Sequence, residues 1–258
     1  MKRWWAVGIA VFIVGLVATA PAAWLGEALA RQTASRVLLA NPSGTVWRGS
    51  AFLIVKQGEQ TFDLGAVRWS LSPWSLFLLR LSTHMELTGD GIHGSGTVVV
   101  SPTGTVAIDG LNLRAGADSL SAVYPPLGFF APSGQLRAVA DSLTIDRQTV
   151  VGSASVTWQA AGVNLTAVRP LGDYQLRMNG TASGVALNVA TQGQGALAVN
   201  GTGTYEASSG RLTFKGRAEA LAHADALRPL LNLLGPPTDD PNARAISINR
   251  TLGRRGSS

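Results

Sequence analysis

The chain of 258 residues has room for one large or two small domains and a substantial core. Its 21 Lys and Arg exceed its 15 Asp and Glu for a net charge of +6, yet the basic residues are spaced singly and form no track for a nucleic-acid backbone. Zero cysteines exclude disulfides, Cys-based zinc sites, iron–sulfur clusters and thiol nucleophiles. His84, His93 and His223 stand too far apart for a helical two-histidine metal motif.

After Met1, Lys2 and Arg3 no charge occurs from Trp4 to Gly26, and Val7, Ile9, Val11, Phe12, Ile13, Val14, Leu16 and Val17 form an apolar body. As a helix, Trp4 to Leu25 spans about 33 Å, against a hydrocarbon core of about 30 Å. Trp4, Trp5 and Trp24 flank it at the depth where indoles favour the membrane interface, and Lys2 and Arg3 predict a cytoplasmic N-terminus. An uncleaved single-pass anchor is the favoured reading. Ala18-Thr19-Ala20 resembles a signal-peptide cleavage site, but Pro21 and the continued apolarity to Leu25 suit cleavage poorly. Either way the chain from about Glu27 onward lies outside the cytoplasm.

Glu27 to Leu39 can extend the helix as a stalk, stopped by the turn chemistry of Asn41-Pro42-Ser43-Gly44. Beyond it the period becomes two. Val150, Gly152, Ala154, Val156 and Trp158 alternate with polar neighbours, as do Tyr174, Leu176 and Met178, then Val185, Leu187 and Val189, then Leu197 and Val199, then Leu212 and Phe214. Turn residues separate these stretches at Gly94-Ser95-Gly96, Pro102-Thr103-Gly104, Gly193-Gln194-Gly195 and Ser208-Ser209-Gly210. Short strands without long helices between them imply antiparallel meanders.

The chain also repeats itself. Pro42-Ser43-Gly44 returns as Pro132-Ser133-Gly134, Leu53 aligns with Leu143, Trp69 with Trp158, and Gly89 with Gly180. Gly104 to Gly110 resembles Gly210 to Gly216 at a larger offset, which fits an inserted hairpin in the second copy. Leu120, Val123, Tyr124 and Leu127 close the first copy, and Leu227, Leu230, Leu231 and Leu234 the second, each as one face of a two-turn helix. Pro125, Pro126 and Pro229 should limit these to broken or 3₁₀-like pieces. The expected fold is thus mainly β: a transmembrane helix and stalk over 1–39, two similar antiparallel β-rich units over 40–128 and 129–235 with short helical pieces, and a C-terminal strand and tail over 236–258.

Residues that could carry chemistry are sparse. His84 near Glu86, His93 near Asp90 and His223 near Asp225 read as surface or turn pairs, and no nucleophile-elbow or phosphate-loop motif occurs. No catalytic, cofactor-binding or metal-binding residue is expected. Trp47, Trp69 and Trp74 concentrate in the first unit, where a buried aromatic cluster is the simplest reading. Trp74, Leu76 and Phe77, after the Pro73 break, are the candidate partner surface.

The N-terminal anchor, the Gly44-Thr45-Val46-Trp47-Arg48-Gly49-Ser50-Ala51 run, the Val67-Arg68-Trp69-Ser70-Leu71-Ser72-Pro73-Trp74 run and the Leu230-Leu231-Asn232-Leu233-Leu234-Gly235 close resemble the type II secretion system protein N family. The resemblance implies a single-pass inner-membrane protein of Gram-negative bacteria with a β-rich periplasmic domain, accessory to secretion and without a catalytic residue to carry over. The principal expectation is a scaffold with partners among the inner-membrane platform proteins or the outer-membrane secretin, acting by strand addition at exposed sheet edges, with no nucleic acid and no cofactor. The alternative is a likeness to AsmA-type envelope proteins, which pair one anchor with a long curved sheet; lipid would then contact an open apolar groove. A periplasmic enzyme is the weakest reading, because no acid, base and nucleophile converge.

Overall fold

The computed structural model describes residues 15, 19–57, 60–73, 75, 80–123, 125–146 and 149–251. Thirteen strands make one sheet whose spatial order is the order of the sequence, and every described pairing is antiparallel. The mainly β expectation holds. By its contacts the chain divides into two units, Met1–Val99 and Val100–Ser258.

The first unit opens with α1 (Ala23–Gln32), followed by β1 (Val37–Gly44), β2 (Arg48–Gln57), β3 (Gln60–Leu71), β4 (Leu81–Gly89) and β5 (Ile92–Val100). The helix does not run to Leu39. The Thr33 hydroxyl donates to Leu29 O at 2.7 Å and accepts from Val37 N–H at 3.2 Å, while Ala34 and Ser35 take positive φ, so the chain reverses. Val37, Leu38 and Leu39 then gain cross-strand partners in Val55, Ile54 and Leu53. Asn41-Pro42 is a bulge inside β1, where the register shifts between Ala40 and Ser43, and not the turn that its residue types announce. Gly94-Ser95-Gly96 likewise lies inside β5; the reversal before it is made at Asp90-Gly91, where Gly91 has φ +72°.

Alternation on β2 and β3 turns Ala51, Val67, Trp69 and Leu71 to one face, and Ala22 at the start of α1 joins them in a buried cluster edged by Trp47, Leu53 and Leu87. The Trp69 indole N–H donates to Val46 O at 3.1 Å, which lets a large aromatic be buried without stranding its polar atom.

The second unit begins with β6 (Val106–Gly116). The 3₁₀ turn Ala117–Ser119, the single turn α2 (Leu120–Val123) and the 3₁₀ stretch Pro125–Phe130 follow, the broken pieces that the prolines predict. Then come β7 (Ser133–Ile145), β8 (Val150–Gly162), β9 (Gly172–Thr181), β10 (Gly184–Gln192), β11 (Leu197–Glu206), β12 (Arg211–Ala220), α3 (Ala224–Leu234) and β13 (Ala243–Thr251). Pro229 does not limit α3, which continues through it for five more residues. The leucine stripe outweighs the lost hydrogen bond: Leu227, Leu230 and Leu231 are buried against Val163, Leu171, Leu197, Ala218 and Ala220. Each such leucine contributes about 2 kcal/mol by leaving water.

Cross-strand registers place most of the apolar alternates of this unit on one face, with Val139 and Val151 as exceptions. Leu136 faces Trp158, Trp158 faces Tyr174, Met178 faces Leu187, Val185 faces Tyr205 and Tyr205 faces Leu212. The opposite face carries Arg137, Ser153, Ser155, Gln175, Arg177, Asn188, Thr202 and Lys215. Only one end of the apolar face lies under α3.

Two local arrangements recur. Leu53 pairs with Gly65 beside a bulge, and Leu143 pairs with Gly152 beside a bulge; Gly65 has φ +97° and Gly152 φ +121°. Gly65 abuts Gly89, and Gly152 pairs with Gly180. Downstream of each, a tryptophan donates to a carbonyl at or just before the start of the second strand of its unit: Trp69 to Val46 O, and Trp158 to Ser133 O at 2.9 Å.

Candidate functional site

The sheet order leaves β1 and β13 as its outer strands. An outer strand presents unpaired N–H and C=O groups, and proteins blunt such edges with bulges, prolines or covering segments. β1 is blunted: its bulge falls at Asn41-Pro42, and α1 packs beside it. β13 pairs with β12 over nine consecutive residues without a register shift and contains no proline.

Its outer side is covered at first and then open. Ala243 N–H donates to Asp240 O at 3.1 Å, Ala245 N–H donates to Pro236 O at 3.0 Å, and Thr238 N–H donates to Ala243 O at 3.3 Å. By the period of two, the N–H groups of Ser247, Asn249 and Thr251 also point outward. None of these three has a hydrogen-bond partner on that side among the described residues. Six residues, Ile246 to Thr251, therefore form a regular open edge.

The covered part is held by Arg244, only 8% exposed. Its guanidinium donates to Pro241 O at 2.8 Å, to Ala243 O at 2.9 Å and to Asn232 Oδ1 of α3 at 3.0 Å, tying helix, loop and strand together. The start of the open edge is thereby fixed in position.

Most residues singled out from the sequence lie elsewhere. Lys2, Arg3, Trp4, Trp5, Val11, Phe12 and Val14 of the anchor, and Trp74, Leu76 and Phe77 of the candidate partner surface, lie outside the described residues. Trp24 sits on α1 and is 55% exposed. Among the described residues no helix is long and apolar enough to cross a membrane.

The histidine pairs are solvated. His84 Nε2 lies 3.8 Å from Glu86 Oε1 and its Nδ1 3.2 Å from Thr97 Oγ1, with both His84 and Glu86 exposed. His93 is exposed on β5, and His223 takes the left-handed conformation at the start of α3. Among the described residues no three His, Asp or Glu side chains gather as metal ligands.

A family model described as type II secretion system (T2SS), protein N, matches residues 35–247. The chain belongs to the type II secretion system protein N family. It is therefore a secretion-system component, and the matched span includes the sheet from the end of the α1 turn to the first residues of the open edge. No curated protein and no solved structure matches the chain.

The open edge was the feature that residue types did not announce. Alternation over Ala245 to Ile248 marks a strand, but whether a strand is outermost depends on pairings that a single sequence does not display. The available signal was negative: no proline and no inward charge interrupts Ala245 to Asn249.

Proposed function

We propose that the protein is an accessory, non-catalytic scaffold of the type II secretion system, held in the inner membrane by the apolar segment that begins at Trp4 and ends before Ala20, since Ala20 O accepts from Val46 N–H and Ala22 is buried against the sheet. Its N-terminus would lie in the cytoplasm and its sheet in the periplasm. Family membership supports the setting, and the open edge of β13 carries the mechanism. An extended segment of a platform protein or of the secretin adds as a fourteenth strand, its main chain pairing with Ser247, Asn249 and Thr251.

In this reading the sheet descends from a duplicated unit, with boundaries near 40–128 and 129–235. The matching pairs Leu53–Gly65 and Leu143–Gly152 and the two carbonyl-bonded tryptophans support it. Contact density divides the chain at Val99 instead, because packing and sequence similarity are different criteria.

A chromosomal deletion tests the proposal, with each secreted hydrolase assayed in medium and periplasm. Folded enzyme retained in the periplasm behind an intact permeability barrier is the expected result. Unchanged export would refute the secretion role. Complementation by a chain carrying Ser247→Pro and Asn249→Pro tests the edge, since these changes remove outward N–H groups and spare the N–H groups that face β12.

A further inference from the structure

The apolar face of the second unit continues beyond the cover that α3 provides. Between β7 and β12 it forms a concavity of about 300 Å³, walled by Leu143, Val150, Met178, Leu187, Tyr205 and Leu212. That volume lies at the small end of ligand pockets. Gly152 and Gly180, paired across β8 and β9, leave its floor without side chains. Among the described residues no polar atom faces it.

Three polar groups on this face are engaged at the other end. Trp158 Nε1–H donates to Ser133 O, the Tyr174 hydroxyl to Leu197 O at 2.8 Å, and the Thr191 hydroxyl to Val199 O at 3.1 Å. An occupant containing peptide groups in extended form would bury N–H and C=O against a floor that offers them no partner. An aliphatic chain carries no such groups.

Charge fixes the other half of the occupant. The register places only two charged side chains on this face of β7 to β13, and both are arginines. Arg244 is buried beneath α3; Arg250 is exposed and is the cross-strand partner of Leu212 at the end of the concavity. No carboxylate pairs with Arg250 among the described residues. A carbon-lined trough with one free cation at its end suits an amphiphile with an anionic head.

We propose that this concavity holds one acyl chain of an anionic phospholipid, with Arg250 at the headgroup phosphate. The proposal goes beyond the secretion reading and stands or falls separately from it.

The test uses the full chain purified in detergent and equilibrated with phosphatidylglycerol whose acyl chain carries a photoactivatable diazirine. Adducts are mapped by peptide mass spectrometry. The expected result is labelling of the β9–β12 peptides around Met178, Leu187 and Leu212. Arg250→Glu should lower that labelling about fivefold and leave labelling by the matching phosphatidylcholine unchanged. Leu187→Asp, with its far-ultraviolet circular dichroism checked, should abolish it. Labelling confined to the N-terminal segment, labelling spread over the polar face, or an unlabelled chain that elutes as a dimer with this face occluded by a second copy would each overturn the proposal. Should Leu187→Asp fail to fold, the labelling map and Arg250→Glu decide alone.

Discussion

Gly65 on β3 lies against Gly89 on β4 so closely that a Cβ on either would enter the backbone of the other strand. Gly65 also holds φ +97°, a conformation that L side chains rarely adopt. Gly65→Ala therefore combines backbone strain with a collision, and we expect a loss of about 3 kcal/mol. Gly152→Ala, at φ +121° and against Ser142 O, should cost a similar amount. Urea unfolding of the two variants measures this, and a loss below 1 kcal/mol at both would contradict the close approach.

The two carbonyl-bonded tryptophans predict matching effects in different places. Trp69→Phe and Trp158→Phe each keep an aromatic ring but leave Val46 O or Ser133 O without its indole donor. About 1 to 2 kcal/mol should be lost in each case. Near-ultraviolet circular dichroism should change at both, while the far-ultraviolet β signal persists.

Tyr174 links stability to alkaline pH. Burial pushes its phenol pKa well above the ordinary value of about 10, and the neighbouring Asp173 carboxylate adds to the rise. Below pH of about 10 both folded and unfolded chains keep the proton, so this contribution is fully present. Above it the unfolded chain releases the proton first, and stability falls as pH rises. Tyr174→Phe should flatten that decline and cost about 1 kcal/mol at neutral pH through loss of the bond to Leu197 O. Denaturant midpoints at pH 8 and pH 10.5 for both chains measure the difference.

Leu227→Ala should destabilise the second unit by about 2 to 5 kcal/mol, because Leu227 is fully buried between α3 and the sheet. Hydrogen exchange should quicken first in α3 and at the covered end of the apolar face. Unchanged protection there would mean that α3 does not pack as described.

The proline variants of the outer strand separate folding from assembly. Ser247→Pro with Asn249→Pro should move the thermal midpoint little, since the bonds from β13 to β12 use the other residues of the strand. Secretion should nevertheless fall to the level of the deletion. Full secretion with these variants would remove strand addition from the mechanism.

Period-two alternation made β8 to β12 legible, because every second residue of these strands meets the same apolar face. It did not reveal β1, where Asn41-Pro42 carries turn chemistry inside a strand that the pairing with Leu53 to Val55 holds in place. Nor did it reveal that α3 passes through Pro229, since the gain from burying Leu230 and Leu231 lies in contacts with distant strands. The trough around Met178 was half visible: its residues are apolar in the sequence, but that none of the described residues covers them is a property of packing. The free edge of β13 was invisible for the same reason, and the anchor stands on the sequence alone because its residues up to Val14 lie outside those described.

The order of the strands has a bearing on how the molecule comes to exist. Each described strand finds its partner in the stretch of chain just before or just after it. Closing the sheet thus requires no encounter between remote segments, and the search reduces to successive hairpins, each forming in about 1 to 10 μs. A polypeptide delivered end-first through a narrow translocation channel can lay down this architecture strand by strand as it emerges.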